Sequence, residues 1–206
     1  MMRQRTKTWP IVILLGALLG ACAPARTQGG AALVAVLNAP AQSVLGGAAE
    51  GVQDVLERET APGLNYVSSF TMRFLETHND LFHSRAAPSA ARIARTQGAD
   101  LAVMIGAPVL ERNVTASRDG RSRRVDVAVA LEAQVVDPRT DAVVQVLRTR
   151  TLQGSRVEAN DGELVAIDLD PTVQALRDQA VPELAAALSA ELPYLTNSLL
   201  IGSSGG

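Results

Sequence analysis

From Val125 to Val135 every second residue is apolar. Val125, Val127, Val129, Leu131, Ala133 and Val135 alternate with Asp126, Ala128, Ala130, Glu132 and Gln134. Successive strand side chains point to opposite faces, so this strict period of two buries one face only as a β-strand; on a helix it would scatter around the axis. Turn chemistry brackets the strand. Before it, Arg118-Asp119-Gly120-Arg121 separates it from a second segment, Val109 to Ser117, and Asp-Gly between two such segments predicts a hairpin. After it, Asp137-Pro138-Arg139-Thr140-Asp141 makes a second turn, and Ala142 to Leu152 a third strand. These pieces form an antiparallel meander.

The rest of the chain supplies helices and buried strands. Ala32-Leu33-Val34-Ala35-Val36-Leu37 is a continuous apolar run, as expected of a strand covered on both faces, and Asn38 and Pro40 stop it. Between Gln42 and Glu59 the apolar positions Val44, Ala48, Val52, Val55 and Leu56 have helical spacing. Gly46-Gly47 weakens that helix by roughly 1 kcal/mol per glycine and is read as close packing on a sheet. Pro62-Gly63 makes a turn, and residues 64–82 read as a short strand near 65–69 followed by a helix. A helix over Pro88–Gln97 ends at Gly98, and Leu101 to Ile105 is a second buried strand. Asn160-Asp161-Gly162 is a loop. Asp170-Pro171 then opens a helix whose apolar face is Val173, Leu176, Ala180, Val181, Leu184 and Leu188, with Pro182 expected to kink or split it. Residues 193–206 are expected to be a frayed C-terminal tail. The expected fold is an α/β domain of α+β character over residues 31–192: a single mixed sheet containing an antiparallel meander, with helices packed on it.

Ahead of that domain the pattern changes. Arg3, Arg5 and Lys7 precede an apolar run from Ile11 to Leu19, which ends in Leu19-Gly20-Ala21-Cys22. The run falls far short of the roughly 18–20 residues a permanent membrane helix needs. Small residues at Gly20 and Ala21 admit a peptidase, and Cys22 supplies a thiol for acylation. This order resembles the lipobox of bacterial lipoproteins. It implies a signal peptide over residues 1–21, cleavage after Leu19-Gly20-Ala21, lipidation at Cys22, and a tether over residues 22–30. Cys22 is the only cysteine of 206 residues, and lipidation accounts for an otherwise unpaired thiol in an oxidising compartment. Two or more acyl chains make a firm anchor where one is marginal. By the same resemblance, Ala23 after the cysteine favours the periplasmic face of the outer membrane in a diderm cell.

Charge then excludes a class of partner. The formal charge of −2 becomes −5 once Arg3, Arg5 and Lys7 leave with the signal, and Lys7 is the only lysine. An acidic chain with 3% aromatic residues has neither the positive field nor the stacking platforms of a nucleic-acid binder.

No catalytic constellation stands out in the sequence. His78 and His83 with Asp80 are the only neutral-pH bases and their neighbour; five residues on a helix is 140° round, so they would not face one metal. No second thiol exists for a cysteine zinc site. Asp168 and Asp170 would share one strand face, although Asp170 is already explained as a helix cap, and the serines at 117, 122 and 155 lie outside any nucleophile-elbow motif. No cofactor is implied. The four cations Arg118, Arg121, Arg123 and Arg124 stand out at the hairpin tip, with Asp119 their only opposing charge. They read either as a charged edge that deters sheet pairing or as a contact for an acidic partner such as lipid headgroups, cell-wall polymer or a protein patch.

Gly98-Ala99-Asp100 before an apolar strand, with Val129 to Val144 reading VALEAQVVDPRTDAVV, resembles the α/β domain shared by the curli-secretion lipoproteins, the lipoprotein activators of penicillin-binding proteins and the amino-terminal domain of TolB. Asp141 stands where that group usually has glycine, a tolerable change because Asp accepts left-handed backbone. The leading expectation is therefore a non-enzymatic, membrane-anchored envelope lipoprotein that binds or helps assemble another envelope component; the residues leave its oligomeric state open. The alternative is a subunit of a curli-type outer-membrane secretion pore. Against it stand Glu111, Arg112 and Asn113 on a would-be spanning strand and the scarcity of girdle aromatics. A hydrolase using acids such as Asp168 or Glu163 ranks below both.

Overall fold

The computed structural model describes residues 31–39, 47–59, 63–77 and 86–202. The signal, Leu19, Gly20, Ala21, Cys22, the tether, residues 42–46, His78, Asp80, His83 and residues 203–206 lie outside them. The elements run β1 (Ala32–Asn38), α1 (Ala48–Glu59), β2 (Leu64–Tyr66), α2 (Ser69–Thr77), α3 (Ala86–Thr96), β3 (Leu101–Ala116), β4 (Ser122–Asp137), β5 (Ala142–Arg148), β6 (Leu152–Ala159), a 3-10 turn (Ile167–Leu169) and α4 (Pro171–Gly202). All six strands form one mixed sheet in the order β2-β1-β3-β4-β5, with β6 also on β4. The expected α/β class, a single mixed sheet with helices packed on it, is what the structure has.

The parallel part is built around β1, which pairs with β2 on one side and β3 on the other. Parallel crossovers share one hand, so connections leaving in opposite directions put their helices on opposite faces. One apolar layer packs α1 and α4 against Val34, Val36, Leu101, Val103 and Ile105. The other packs α2 and α3 against Ala35, Leu37, Ala102 and Met104. This explains why β1 and the first half of β3 are apolar throughout. The Gly98-Ala99-Asp100 segment joins helix to strand. Gly98 takes φ +66, its N–H reaches the Arg95 carbonyl at 3.0 Å, and the Ala99 N–H reaches Ala94 at 2.8 Å, the Schellman closure of α3. Asp100 then clasps β1 by accepting the Leu33 N–H at 2.8 Å and returning its own N–H to the Leu33 carbonyl at 2.7 Å.

The antiparallel part is longer than expected. The segments 101–105 and 109–117 are one strand, β3, with an irregularity between Gly106 and Val109 where it leaves the parallel layer for the meander. β4 extends the alternating run at both ends, to 16 residues. The third strand is two, because β5 pairs with the end of β4 and β6 with its beginning. Between them Thr149 is buried, donates its N–H to the Leu131 carbonyl at 3.0 Å and accepts the Leu131 N–H on Oγ1 at 3.0 Å. The side chain takes the place of a ladder carbonyl, so the strand breaks without orphaning Leu131.

Three helix expectations are corrected. α1 starts after the glycine pair; Gly47 precedes it with φ +89 and open space where a Cβ would sit, so it serves backbone conformation. The close approach is made by Gly51, where a Cβ would lie 3.4 Å from Val181 of α4. α4 runs unsplit through Pro182 and Pro193. Val173, Leu176, Ala180, Val181, Leu184, Ala185, Leu188 and Leu192 are all buried in one layer, and that packing outweighs the hydrogen bond each proline forfeits. The same helix continues to Gly202, so residues 193–202 are not a tail: Leu195 and Leu199 pack on the core, and buried Thr196 donates to the Leu192 carbonyl.

Candidate functional site

The hairpin halves of β3 and β4, with β6 beside them, extend beyond α2 and α3. Described elements cover only one of their faces there, and the two faces carry different chemistry.

On the covered face, under the start of α4, lies a chain of charges. Asp170 is fully buried, and its carboxylate accepts from Arg156 Nη1 at 2.5 Å, from Arg112 Nη1 at 3.3 Å and from the Thr172 N–H at 2.9 Å. Arg156 continues to Glu158 at 3.0 Å, and Glu158 to Arg123 at 2.7 Å. Arg123 also donates to the carbonyls of Gly162 and Glu163, and Arg112 to that of Val165. Burial alone would raise the Asp170 carboxyl, but the bonds from Arg156, Thr172 and Arg112 outweigh it and hold it below the usual carboxylate range. Glu158 is lowered chiefly by its bond from Arg123 and then by that from Arg156. These groups face one another because Arg112, Arg123, Arg156 and Glu158 share a face of the pleat, where Arg123 pairs with Glu158 in register. The network ties the sheet to the N-terminus of α4 and to the 160–170 loop. Asp170 and Asp168 share no strand face, since a 3-10 turn lies between β6 and α4 and leaves Asp168 exposed. Asp170 is the N-cap expected for it.

No described element covers the opposite face. Glu111, Asn113, Arg124, Asp126, Ala128, Gln153 and Ser155 line an open trough of about 490 Å³ with Val127 and Gly154. Arg124 pairs with Asp126 at 2.8 Å. The trough offers two carboxylates, a guanidinium, two amides and a hydroxyl over a floor of small residues. It is suited to hydrogen bonding, and nothing in it pairs a nucleophile with a base.

The four hairpin arginines therefore do not form one patch. Arg118 and Arg121 are exposed on the turn, where Gly120 takes φ +68, without an ion-pair partner among the described residues. Arg123 turns under the sheet into the half-buried network, and Arg124 lies on the trough. The cations that sequence reasoning missed are Arg112 and Arg156. Their signal was positional: both occupy the apolar phase of their strands, opposite Val127 and Val125, where a cation requires a buried partner.

The second turn is a further buried anion. Asp137 accepts from the Arg139 N–H at 2.9 Å, the Arg139 guanidinium at 3.2 Å and the Thr140 hydroxyl at 3.2 Å. Against its burial, these bonds lower its pKa. Arg139 reaches on to the Leu199 carbonyl of α4 at 3.0 Å. Asp141 takes the left-handed conformation expected of it, φ 60, and pairs with Arg95 of α3 at 2.5 Å. These residues join helices to the turn and hold no open site. Among the described residues no group of three His, Cys, Asp or Glu side chains is placed to hold a metal, and no helix is long and apolar enough to cross a membrane.

No family model and no curated protein matches the chain. Among solved structures it is similar to PelC of Paraburkholderia phytofirmans, a dodecamer, at 13% identity, covering 81% of this chain and 91% of that one with a TM-score of 0.37. It is also similar to lipoprotein GNA1162 of Neisseria meningitidis at 14% identity, with 76% and 99% covered and a TM-score of 0.37. For a minor lipoprotein of Acinetobacter baumannii the values are 11% identity, 77% and 87% covered, and a TM-score of 0.31.

Proposed function

We propose that this chain is a bacterial envelope lipoprotein, anchored through acylated Cys22, whose α/β domain is a non-enzymatic binding or assembly module for another envelope protein or a cell-wall component. In a diderm cell it would stand on the periplasmic face of the outer membrane. The observation that carries this reading is Leu19-Gly20-Ala21-Cys22, in register behind a basic and then an apolar stretch and holding the chain's only thiol. The domain behind the tether supports a binding role through the hydrogen-bonding trough and the exposed arginines of the hairpin.

A pore subunit fits less well. β3 and β4, at 16 residues each, exceed the about 9–11 residues a spanning strand needs, but such a hairpin also needs one apolar side for lipid. One side of this hairpin packs under α4, and the other carries Glu111, Asn113, Arg124 and Asp126.

The deciding experiment expresses the full chain and Cys22→Ser with a labelled fatty acid. Wild type is expected to take up the label and sediment with membranes; C22S is expected to lose the label and retain the uncut signal. Label on both, or on neither, would sink the lipoprotein reading. A detergent-dependent ring in the membrane fraction would favour the pore.

A further inference from the structure

One border of the described sheet is β6, and half of its main chain has no partner among the described residues. The β4 ladder pairs Arg123 with Glu158, Val125 with Arg156 and Val127 with Gly154, and the bond from the Asn160 N–H to the Arg121 carbonyl at 2.9 Å fixes its phase. Bonded and non-bonded positions alternate along an antiparallel pair. Leu152, Gly154, Arg156 and Glu158 therefore turn their N–H and C=O toward β4, while Gln153, Ser155, Val157 and Ala159 turn theirs outward. None of these four main-chain positions has a hydrogen-bond partner among the described residues.

Folded chains usually protect such an edge with charge, proline, a bulge or a covering element. The adjoining stretch of this edge is protected: Arg148 and Arg150 flank the break at Thr149, and Glu183 of α4 takes the Arg150 N–H at 3.0 Å. Among the described residues, nothing protects the β6 stretch. Its outward positions are uncharged and exposed, with 70% of Val157 open to solvent. The strand's only charges, Arg156 and Glu158, point to the opposite face, where Asp170 and Arg123 already neutralise them.

We propose that β6 pairs with β6 of a second copy of this chain, antiparallel about a two-fold axis at Arg156. In that register Ser155 faces Val157 of the second copy and Gln153 faces Ala159, so the outward N–H and C=O groups bond one another. The strand is self-complementary there, since no charged side chain faces its like on the open face and the two central arginines are each held by their own Asp170. The contact closes after two copies and joins the two troughs along one continuous sheet, because Gln153 and Ser155 line both the edge and the trough. This pairing does not depend on the lipid anchor.

The test uses the full chain in its membrane, co-expressed as two differently tagged copies, one with Ser155→Cys and the other with Val157→Cys. Oxidation is expected to give a mixed-tag disulfide dimer several-fold more abundant than when both copies carry Ser155→Cys, because only facing positions are close. In parallel, light scattering on detergent-extracted protein is expected to show two copies for wild type and one for Val157→Pro, which removes only an outward N–H and leaves the β4 ladder whole. If Val157→Pro does not fold, Val157→Lys serves instead. Wild type at one copy, a Val157 variant still at two, or a disulfide adduct with a different protein would each overturn the pairing.

Discussion

Asp170 has no solvent contact, caps α4 through the Thr172 N–H and faces the guanidiniums of Arg156 and Arg112. Asparagine caps a helix as well as aspartate does, so Asp170→Asn isolates the loss of charge and leaves two cations beside an uncharged amide. It is expected to cost about 3–5 kcal/mol, the range for breaking a buried pair from one side, in urea denaturation. Arg124→Ala, which breaks the exposed pair with Asp126, is expected to cost under about 1 kcal/mol. Acid should act on the same residues. Asp170 and Asp137 both hold their carboxyls below the usual range, so they take up protons less readily folded than unfolded. Their contribution is complete above the unfolded value, about 3.9, and is lost as pH falls through the lower folded values. Denaturation midpoints are expected to drop below about pH 4, and the drop should be shallower in Asp170→Asn. An unchanged acid limb would show that Asp170 is not one of the responsible groups.

Among the elements, α4 departs furthest from its sequence signals. Proline marks helix ends, so Pro182 predicts a kink or split, with a frayed tail expected from residue 193. The buried positions on both sides of each proline carry the helix through instead. Pro182 itself is exposed, so Pro182→Ala restores a main-chain bond without disturbing packing. It is expected to stabilise the domain by up to about 3 kcal/mol. Truncation after Leu192 removes Leu195, Thr196, Leu199 and the carbonyl that Arg139 uses. A cost of about 2–4 kcal/mol is expected from the lost burial, read as a fall in thermal midpoint, whereas loss of a frayed tail would leave the midpoint unchanged. The broken third strand was equally hidden, because Thr149 can substitute for a ladder carbonyl only once Leu131 is placed opposite it.

At the scale of the whole molecule, the hairpin carries the sharpest prediction. Arg118→Ser with Arg121→Ser is expected to leave stability within about 0.5 kcal/mol while removing any crosslinked acidic partner in the envelope; unchanged partners would exclude the turn as a contact. Arg123→Ser is expected to destabilise instead, because it takes from Glu158 one of its two arginine partners and leaves two loop carbonyls without that donor. Sequence alone determined much of the framework. Alternation along Val125–Val135 dictated a strand with one buried face, Gly98 and Gly120 set their turns, Asp170-Pro171 opened a helix, and the basic, apolar and small residues ending in Cys22 set the expectation of an anchor. Each of these is a local signal, in which residue type and spacing suffice. Tertiary structure alone decided which arginine of the hairpin is half-buried and which are exposed, that β3 is one strand, that α4 outlasts its prolines, and that half of the β6 main chain has no partner among the described residues. Those outcomes depend on residues far apart in the chain, since a charge is neutralised, a proline tolerated or a strand edge left open only by what the fold brings beside it.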